Sequence, residues 1–331
     1  VGKWHLGTDP EYHPQQRGFD EFFGFLGGAH SYSDSVLGVA SNAVMRGTEK
    51  VDVEYLTDDF SREAVSFVER HSDHPFFLYL PYNAVHTPMH ATAKYLERFG
   101  SIADQKRRNY AAMLSAMDDG IGSVLRTLRD KNLEQNTLIF FLSDNGGPIR
   151  GNASCNRPLR GEKGQMYEGG IHVPFMMQWK GTLPKGIIYD QPVISLDIHA
   201  TACSAASVQI REDMKLDGVN LLPYITGKRS DAPHECLFWR SRPNNAIRMG
   251  DWKLVTQNNE PTALYNLASD IGETTDLASQ NPDRFKQLKA RFEEWNSELV
   301  DPLWKGKQRK QPATVEPPVR AARPKRKKRQ Q

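Results

Sequence analysis

Apolar residues fall into two rhythms along the chain, and each predicts a different element. Five of them, Leu138 to Leu142, run without a break and stop at Ser143-Asp144-Asn145-Gly146-Gly147-Pro148. A short unbroken run ended by turn residues predicts a strand buried on both faces, as in parallel sheets covered by helices. Pro75 to Pro81 repeats the pattern and leads into Asn83-Ala84-Val85-His86-Thr87-Pro88. The second rhythm is helical. Phe60, Ala64, Phe67 and Val68 share a face across 57–71, with Thr57 or Asp58 placed to cap it. Tyr110, Met113, Leu114, Met117, Ile121, Val124, Leu125 and Leu128 make a longer stripe across 108–131. That helix feeds the strand at 137–142, in the strand–helix–strand order of a right-handed crossover.

The flanking regions read differently. Residues 8–55 carry many turn formers and aromatics and predict short strands joined by long loops. Val173 to Trp179 predicts a further strand, and Ser195 to Ala205 a helix with Asp197 in its first turn. The composition changes around 205–232. Short apolar runs at Cys236–Arg240, Ala246–Met249, Trp252–Val255 and Ala263–Asn266, split by turns, then predict an antiparallel meander. An amphipathic helix at 281–299, with Phe285, Leu288, Phe292 and Trp295 inward, closes it. The fold class is α/β: a mixed, mostly parallel sheet sandwiched by helices, then a small C-terminal antiparallel sheet plus helix. The expected boundaries are 1–228, 229–304 and a basic tail at 305–331, whose prolines and charge predict disorder.

Chemistry-bearing residues gather where strands end. Open α/β sheets place ligands at the carboxyl ends of their strands. Asp144 and Asn145 stand there with a carboxylate and an amide oxygen, donors suited to Ca²⁺ or Mg²⁺. The plainer reading is an Asp-Asn-Gly turn without a ligand. Lys3 and His5 are two residues apart, so an extended segment points both to one side, where they suit an anion and a proton transfer. An exposed loop with incidental Lys and His explains them as simply. His86 follows the 75–81 run, and Pro88 biases Thr87 towards extended geometry. Lys163 lies among glycines that permit close backbone approach, and there it suits an anion as a point charge. A solvated lysine on a flexible loop is the alternative. His30, between Gly28 and Tyr32, is a pocket-lining candidate, or a packed loop histidine. Arg240 is a second substrate-contact candidate.

Charge changes the picture at one end only. The net charge is +3, yet 305–331 holds eleven Lys and Arg against Glu316 alone, which leaves a mildly acidic body. The tail is therefore a candidate for polyanion binding, or a solvated extension. Cys155, Cys203 and Cys236 are widely spaced and form no CxxC pattern, which argues against zinc or thiol redox work. No apolar run is long enough to span a bilayer.

Four stretches in one order carry a resemblance. GKWHLG at 2–7, a strand then HTP at 86–88, a strand then SDNGGP at 143–148, and LRGEKGQMYEGGIHVP at 159–174 resemble the formylglycine-dependent sulfatases of the alkaline phosphatase-like superfamily. MGDWKLV at 249–255 and ALYNLASDIGETTDLA at 263–278 resemble that family's small C-terminal subdomain. The likeness runs from residue 1 to about 300.

The resemblance implies roles position by position. Asp144 and Asn145 would be metal ligands, for Ca²⁺ ahead of Mg²⁺. Lys3 and His5 would flank the formylglycine nucleophile, Lys3 holding charge and His5 serving as base. His86 and Lys163 would grip the sulfate and the leaving oxygen, one of them protonating it. The substrate would be a sulfated carbohydrate ahead of an aryl sulfate ester, and the location periplasmic or secreted.

Departures are plain too. The family's nucleophile lies in a Cys/Ser-x-Pro-x-Arg motif, and none of the three cysteines has that setting. The paired N-terminal aspartates that complete the metal site are missing, and Tyr167 and His172 stand where Trp and Arg are common. The resemblance thus implies the C-terminal two-thirds of a sulfatase, a fragment inactive alone. Alternatives are a phosphodiesterase or phosphonate hydrolase of the same superfamily and a non-catalytic binder of sulfated glycans.

Overall fold

The computed structural model describes residues 1–33 and 42–301. The expected basic tail lies outside them. The chain divides into two compact units, Val1–Phe292 and Glu293–Gln331, and every described strand belongs to the first.

Near the N-terminus, β1 (Gly2–Lys3) runs parallel to β2 (Phe23–Phe25), which pairs antiparallel with β3 (Met45–Arg46), and β3 with β4 (Glu49–Lys50). A separate pair joins β5 (Ile139–Leu142) to β6 (Phe175–Gln178), antiparallel, with Leu142 opposite Phe175. The C-terminal meander is β10-β9-β8-β7, all antiparallel, from β7 (Leu237–Ser241), β8 (Asn244–Met249), β9 (Trp252–Thr256) and β10 (Ala263–Asn266). The helices are α1 (Leu56–Arg70), α2 (Ala93–Leu96), α3 (Gln105–Asp130), α4 (Ile149–Asn152), α5 (Glu168–Ile171), α6 (Asp197–Ala205), α7 (Leu222–Ile225) and α8 (Pro282–Ser297). The architecture is α/β with a mixed sheet, helices and a C-terminal antiparallel sheet plus helix, as the sequence leads one to expect.

Two expectations about burial are corrected. The 75–81 run is not assigned as a strand and is not buried on both faces, since Phe77 is 66% and Tyr79 44% exposed. It lies along β1 through the Lys3 amide, which donates to the Pro81 carbonyl at 2.9 Å. β5 is half-buried along its whole length, and its described partner is antiparallel. An unbroken apolar run records that a strand can be covered, not which neighbour covers it.

Helix α1 packs on α3. Asp104 caps α3 by accepting from the Arg107 amide at 2.6 Å. No side chain caps α1 at its first residue, so neither Thr57 nor Asp58 takes that place. Asp59 accepts instead from the amides of Glu54 and Tyr55 at 3.0 and 3.1 Å. On α3 the fully buried positions are Ala112, Met113, Ala116, Gly120 and Leu128, whereas Leu114 is 41% exposed. Small residues therefore make the crossing. The main core gathers Phe23, Phe25, Tyr32, Tyr55, Phe60 and Met113. The opposite end is built by α8, whose Phe285, Leu288 and Phe292 cover one face of the meander at Ile247, Leu254 and Leu264.

A Cβ on Gly120 would stand 2.0 Å from Ser61 Oγ and 2.9 Å from Ser61 Cβ. Rotating the hydroxyl relieves only the first clash. Alanine favours an α-helix over glycine by about 1 kcal/mol, but overpacking a crossing costs about 1–3 kcal/mol. Gly120→Ala is therefore expected to lower the stability of the chain by up to about 2 kcal/mol in urea unfolding. A rise in the midpoint would contradict this packing.

Candidate active site

Strand β1 carries Lys3, and the chain leaves it through Trp4 to His5. Trp4 is anchored by its indole N–H donating to the Tyr12 carbonyl at 2.8 Å, and its amide donates to the Phe25 carbonyl at 2.9 Å. The His5 amide donates to the Leu26 carbonyl at 3.0 Å. Gly28 backs the imidazole so closely that a Cβ there would stand 2.5 Å from Nε2. Lys3 and His5 are thus fixed by backbone on both sides.

His86 enters from the loop after 75–81. The Tyr32 hydroxyl lies 2.8 and 2.9 Å from the carbonyls of Asn83 and His86 and holds that loop from below. Burial pushes the Tyr32 phenol far up, so it stays a neutral donor. His86 Nδ1 lies 2.6 Å from the Thr87 carbonyl, which can only accept, so Nδ1 carries the proton. Nε2 is then the atom that takes or gives a mobile proton.

Asp144 and Asn145 follow β5. The Asn145 side-chain amide donates to the Gly146 carbonyl at 3.0 Å, which leaves its Oδ1 for another partner. Among the described residues the Asp144 carboxylate accepts no hydrogen bond and makes no ion pair, and it is exposed. Two hard oxygen donors are therefore unspent side by side. Ca²⁺ takes six to eight oxygens, and no group of three or more His, Cys, Asp or Glu gathers among the described residues. These residues fit part of a cation shell.

The loop from Gly161 to Gly170 carries Lys163 beside that turn. The Gly146 amide donates to the Gly170 carbonyl at 2.9 Å, and a Cβ on Gly146 would stand 1.8 Å from the Gly169 carbonyl oxygen. Only glycine permits the approach. Asn156 clamps the same two segments: its side-chain amide donates to the Gly147 and Gly161 carbonyls at 2.8 and 3.0 Å, and its Oδ1 accepts from the Gly147 amide at 3.1 Å.

Lys3 and His5 each lie in the field of Asp144 and of Lys163. The Lys3 ammonium is held below its ordinary value chiefly by burial, with Asp144 raising it and Lys163 lowering it. His5 is likewise lowered, by burial first, then by Lys3, Lys163 and His86, against Asp144. Lys3 and His5 thus sit in the field of the Asp144 carboxylate, and His5 also in that of Lys163 and His86. Such a cluster suits a multiply charged tetrahedral anion. Its one depressed imidazole, His5, is biased to the neutral form that acts as a base.

His30 and Arg240 are placed elsewhere. His30 is fully buried, its Nδ1 2.7 Å from the Ser31 carbonyl and its ring 5.0 Å from that of Phe25. Its own carbonyl accepts from the Asn83 side chain at 2.9 Å, so it props the His86 loop as a packed residue and lines no open pocket. Arg240 alternates with Phe238 along β7, which sets it on the sheet face that α8 covers. The opposite face, with Trp239, Ala246 and Val255, is the one that meets Met166 and Tyr167 of the Lys163 loop. Sequence reasoning missed Tyr32, Asn83 and Asn156. Their signal was slight, because a buried loop tyrosine or asparagine has no period and no fixed spacing from what it holds.

This geometry belongs to an alkaline phosphatase-like α/β fold. A family model described as "Sulfatase" matches residues 1–208, and one described as "N-sulphoglucosamine sulphohydrolase, C-terminal" matches 161–298. The chain belongs to the sulfatase family. It is 31% identical to the uncharacterized sulfatase YdeN of Escherichia coli over 92% of this chain and 64% of that protein. It is 32% identical to mouse arylsulfatase J over 91% of this chain and 60% of that protein. The chain thus spans about six-tenths of the length of these two relatives. A crystal structure of Ps i-CgsB in complex with k-i-k-neocarrahexaose superposes with a TM-score of 0.86 at 34% identity, covering 92% of this chain and 72% of that one.

His5 is expected to titrate below the ordinary 6.5, followed by NMR of its ring protons. Removing the neighbouring cation in Lys3→Met should move the midpoint upward. An unchanged midpoint would mean that the two side chains do not share a site.

Proposed function

We propose that this chain carries the anion-gripping and proton-transferring part of a sulfatase active site acting on sulfate esters of a carbohydrate. The observation that carries the reading is that His5 lies in the field of Lys3, Lys163, His86 and Asp144 together. Support for carbohydrate comes from relatives: the human N-acetylgalactosamine-6-sulfatase is 32% identical over 76% of this chain, and Ps i-CgsB binds a neocarrahexaose.

Cleaving a sulfate ester needs charge stabilisation on the nonbridging oxygens and a proton for the leaving oxygen. Lys3 and Lys163 supply fixed positive charge to the sulfate oxygens. His86, with Nδ1–H held on the Thr87 carbonyl, delivers a proton from Nε2 to the leaving oxygen and ends as the neutral imidazole. His5, held neutral by burial and its cationic neighbours, takes a proton from a hydroxyl at the sulfate. Asp144 and Asn145 Oδ1 would hold a divalent cation, Ca²⁺ ahead of Mg²⁺, which would supply further charge to the sulfate. Formylglycine fits none of the three cysteines, because Cys155, Cys203 and Cys236 all lack the Cys-x-Pro-x-Arg setting. No step through it is assigned to these residues.

The family's habit of export supports a periplasmic or secreted location for this activity.

The test is kinetic. The 331-residue chain alone should show no turnover of sulfated oligosaccharides. A longer protein joining it to a Cys/Ser-x-Pro-x-Arg segment should hydrolyse them, lose activity on chelation, and prefer sulfate to phosphate esters. Lys163→Ala in that protein should lower kcat/KM by about 10²-fold or more. Retained activity in Lys163→Ala, or preference for phosphate, would overturn the assignment.

A further inference from the structure

The proposed mechanism uses Lys163 but not the lysine buried most deeply, Lys253. Lys253 lies on β9 in the C-terminal meander and has no solvent exposure. Its ammonium donates to Glu168 Oε1 at 2.7 Å. It also lies 2.9 Å from Glu273 Oε1 as an ion pair, off the hydrogen-bonding direction. The Glu168 backbone amide donates to Glu273 Oε2 at 2.6 Å, and His172 Nδ1 lies 2.9 Å from Glu168 Oε2. Burial pushes the Glu168 carboxyl up, but His172 and Lys253 outweigh it and hold it at about 2. Burying such charges is costly, and an apolar side chain of the same length would fill the space more cheaply. What an ion pair adds is direction.

The direction matters because of what Glu168 is attached to. It opens α5, and the next two residues, Gly169 and Gly170, are the backbone against which Gly146 packs. The Gly169 amide donates back to the Arg160 carbonyl at 2.6 Å, so the loop carrying Lys163 is closed at its neck by residues adjoining Glu168. Arg160 ties that neck to the same partners: its guanidinium donates to the Glu273 carbonyl at 2.7 Å and stacks 4.0 Å over the Tyr167 ring. One face of the loop rests on the Asp144–Gly147 turn and the other on the meander.

We propose that Lys253 is a positioning residue for Lys163: clamped between Glu168 and Glu273, it fixes the neck of the 161–170 loop and so holds the Lys163 ammonium at the anion cluster. The C-terminal meander then acts on the reaction without touching substrate. This rests on the reading of Lys163 as part of the sulfate grip, and the test separates the two.

The experiment uses the 331-residue chain and two readouts. The first is the titration midpoint of His5, which reports where the Lys163 ammonium stands whether or not the protein binds sulfate. The second is affinity for inorganic sulfate, which reports the grip. Lys163→Met should raise the His5 midpoint and weaken sulfate binding by about tenfold, the loss of one charge-assisted contact. Lys253→Met should raise the His5 midpoint in the same direction and add nothing further in the Lys163→Met background. If Lys253→Met lowers the melting temperature but leaves the His5 midpoint unchanged, Lys253 is only structural and the proposal is overturned. A shift of equal size with Lys163 already removed overturns it too. Should Lys253→Met not fold, Glu273→Gln keeps the shape of the clamp, removes one of its charges and is read in the same cycle. If Lys163→Met moves the His5 midpoint but leaves sulfate affinity intact, the sulfate grip fails while the positioning stands.

Discussion

The site depends on one close contact between two stretches of backbone. The Gly146 amide meets the Gly170 carbonyl at 2.9 Å, with no room between the segments for a Cβ. Everything proposed for the cation turn and the Lys163 loop depends on that approach, because it brings the residues after β5 beside a loop that begins at Gly161. Asn156 reinforces it with three hydrogen bonds to Gly147 and Gly161. Glycine carries no side chain to bury and costs conformational entropy on folding, and at positions 146, 147, 169 and 170 it permits a close approach that a Cβ would block.

Around that contact the protein gathers positive charge. Lys3 and Lys163 make no ion pair among the described residues, yet each enters the field of His5. Unpaired like charges raise the energy of the folded chain, and a bound dianion removes that penalty. The same field depresses His5, so in the proposed site one arrangement would both attract sulfate and prepare a base beside it. His86 differs because its Nδ1 is committed to the Thr87 carbonyl, which leaves one ring nitrogen for chemistry. In the proposed mechanism binding and proton transfer share one cause, cations fixed by backbone at the ends of short strands. The proposed Lys253 clamp would give the C-terminal sheet a part in the same arrangement.

Much of this was legible in the sequence where function writes local patterns. Lys3, His5, His86, Asp144 and Lys163 each stand in a short motif, and the site proposed for them draws on those motifs in turn. The helical stripes placed α1, α3 and α8 to within a few residues. What the sequence concealed was partnership. The run at 138–142 has the same letters whether its neighbour is parallel or antiparallel, and β6 proved antiparallel. His30 was a pocket candidate by its glycine neighbours and is a buried prop, since a pattern of turns does not say which side of a loop faces inward. Arg240 was a guess by residue type, and strand alternation places it on the α8 face. Lys253 sits in a recognisable motif, but its two carboxylate partners lie 85 positions before it, at Glu168, and beyond the next strand, at Glu273. Such pairings appear only when the chain is folded.

The central claim is that these side chains form one tetrahedral-anion site. The most direct measurement is a crystal structure of the chain soaked with tungstate, a heavy analogue of sulfate, with the metal located by its anomalous signal. The account predicts a peak within hydrogen-bonding reach of both the Lys3 and Lys163 ammonium groups, beside His5 and His86. Tungstate bound only at other surface cations, with this cluster empty, would contradict it.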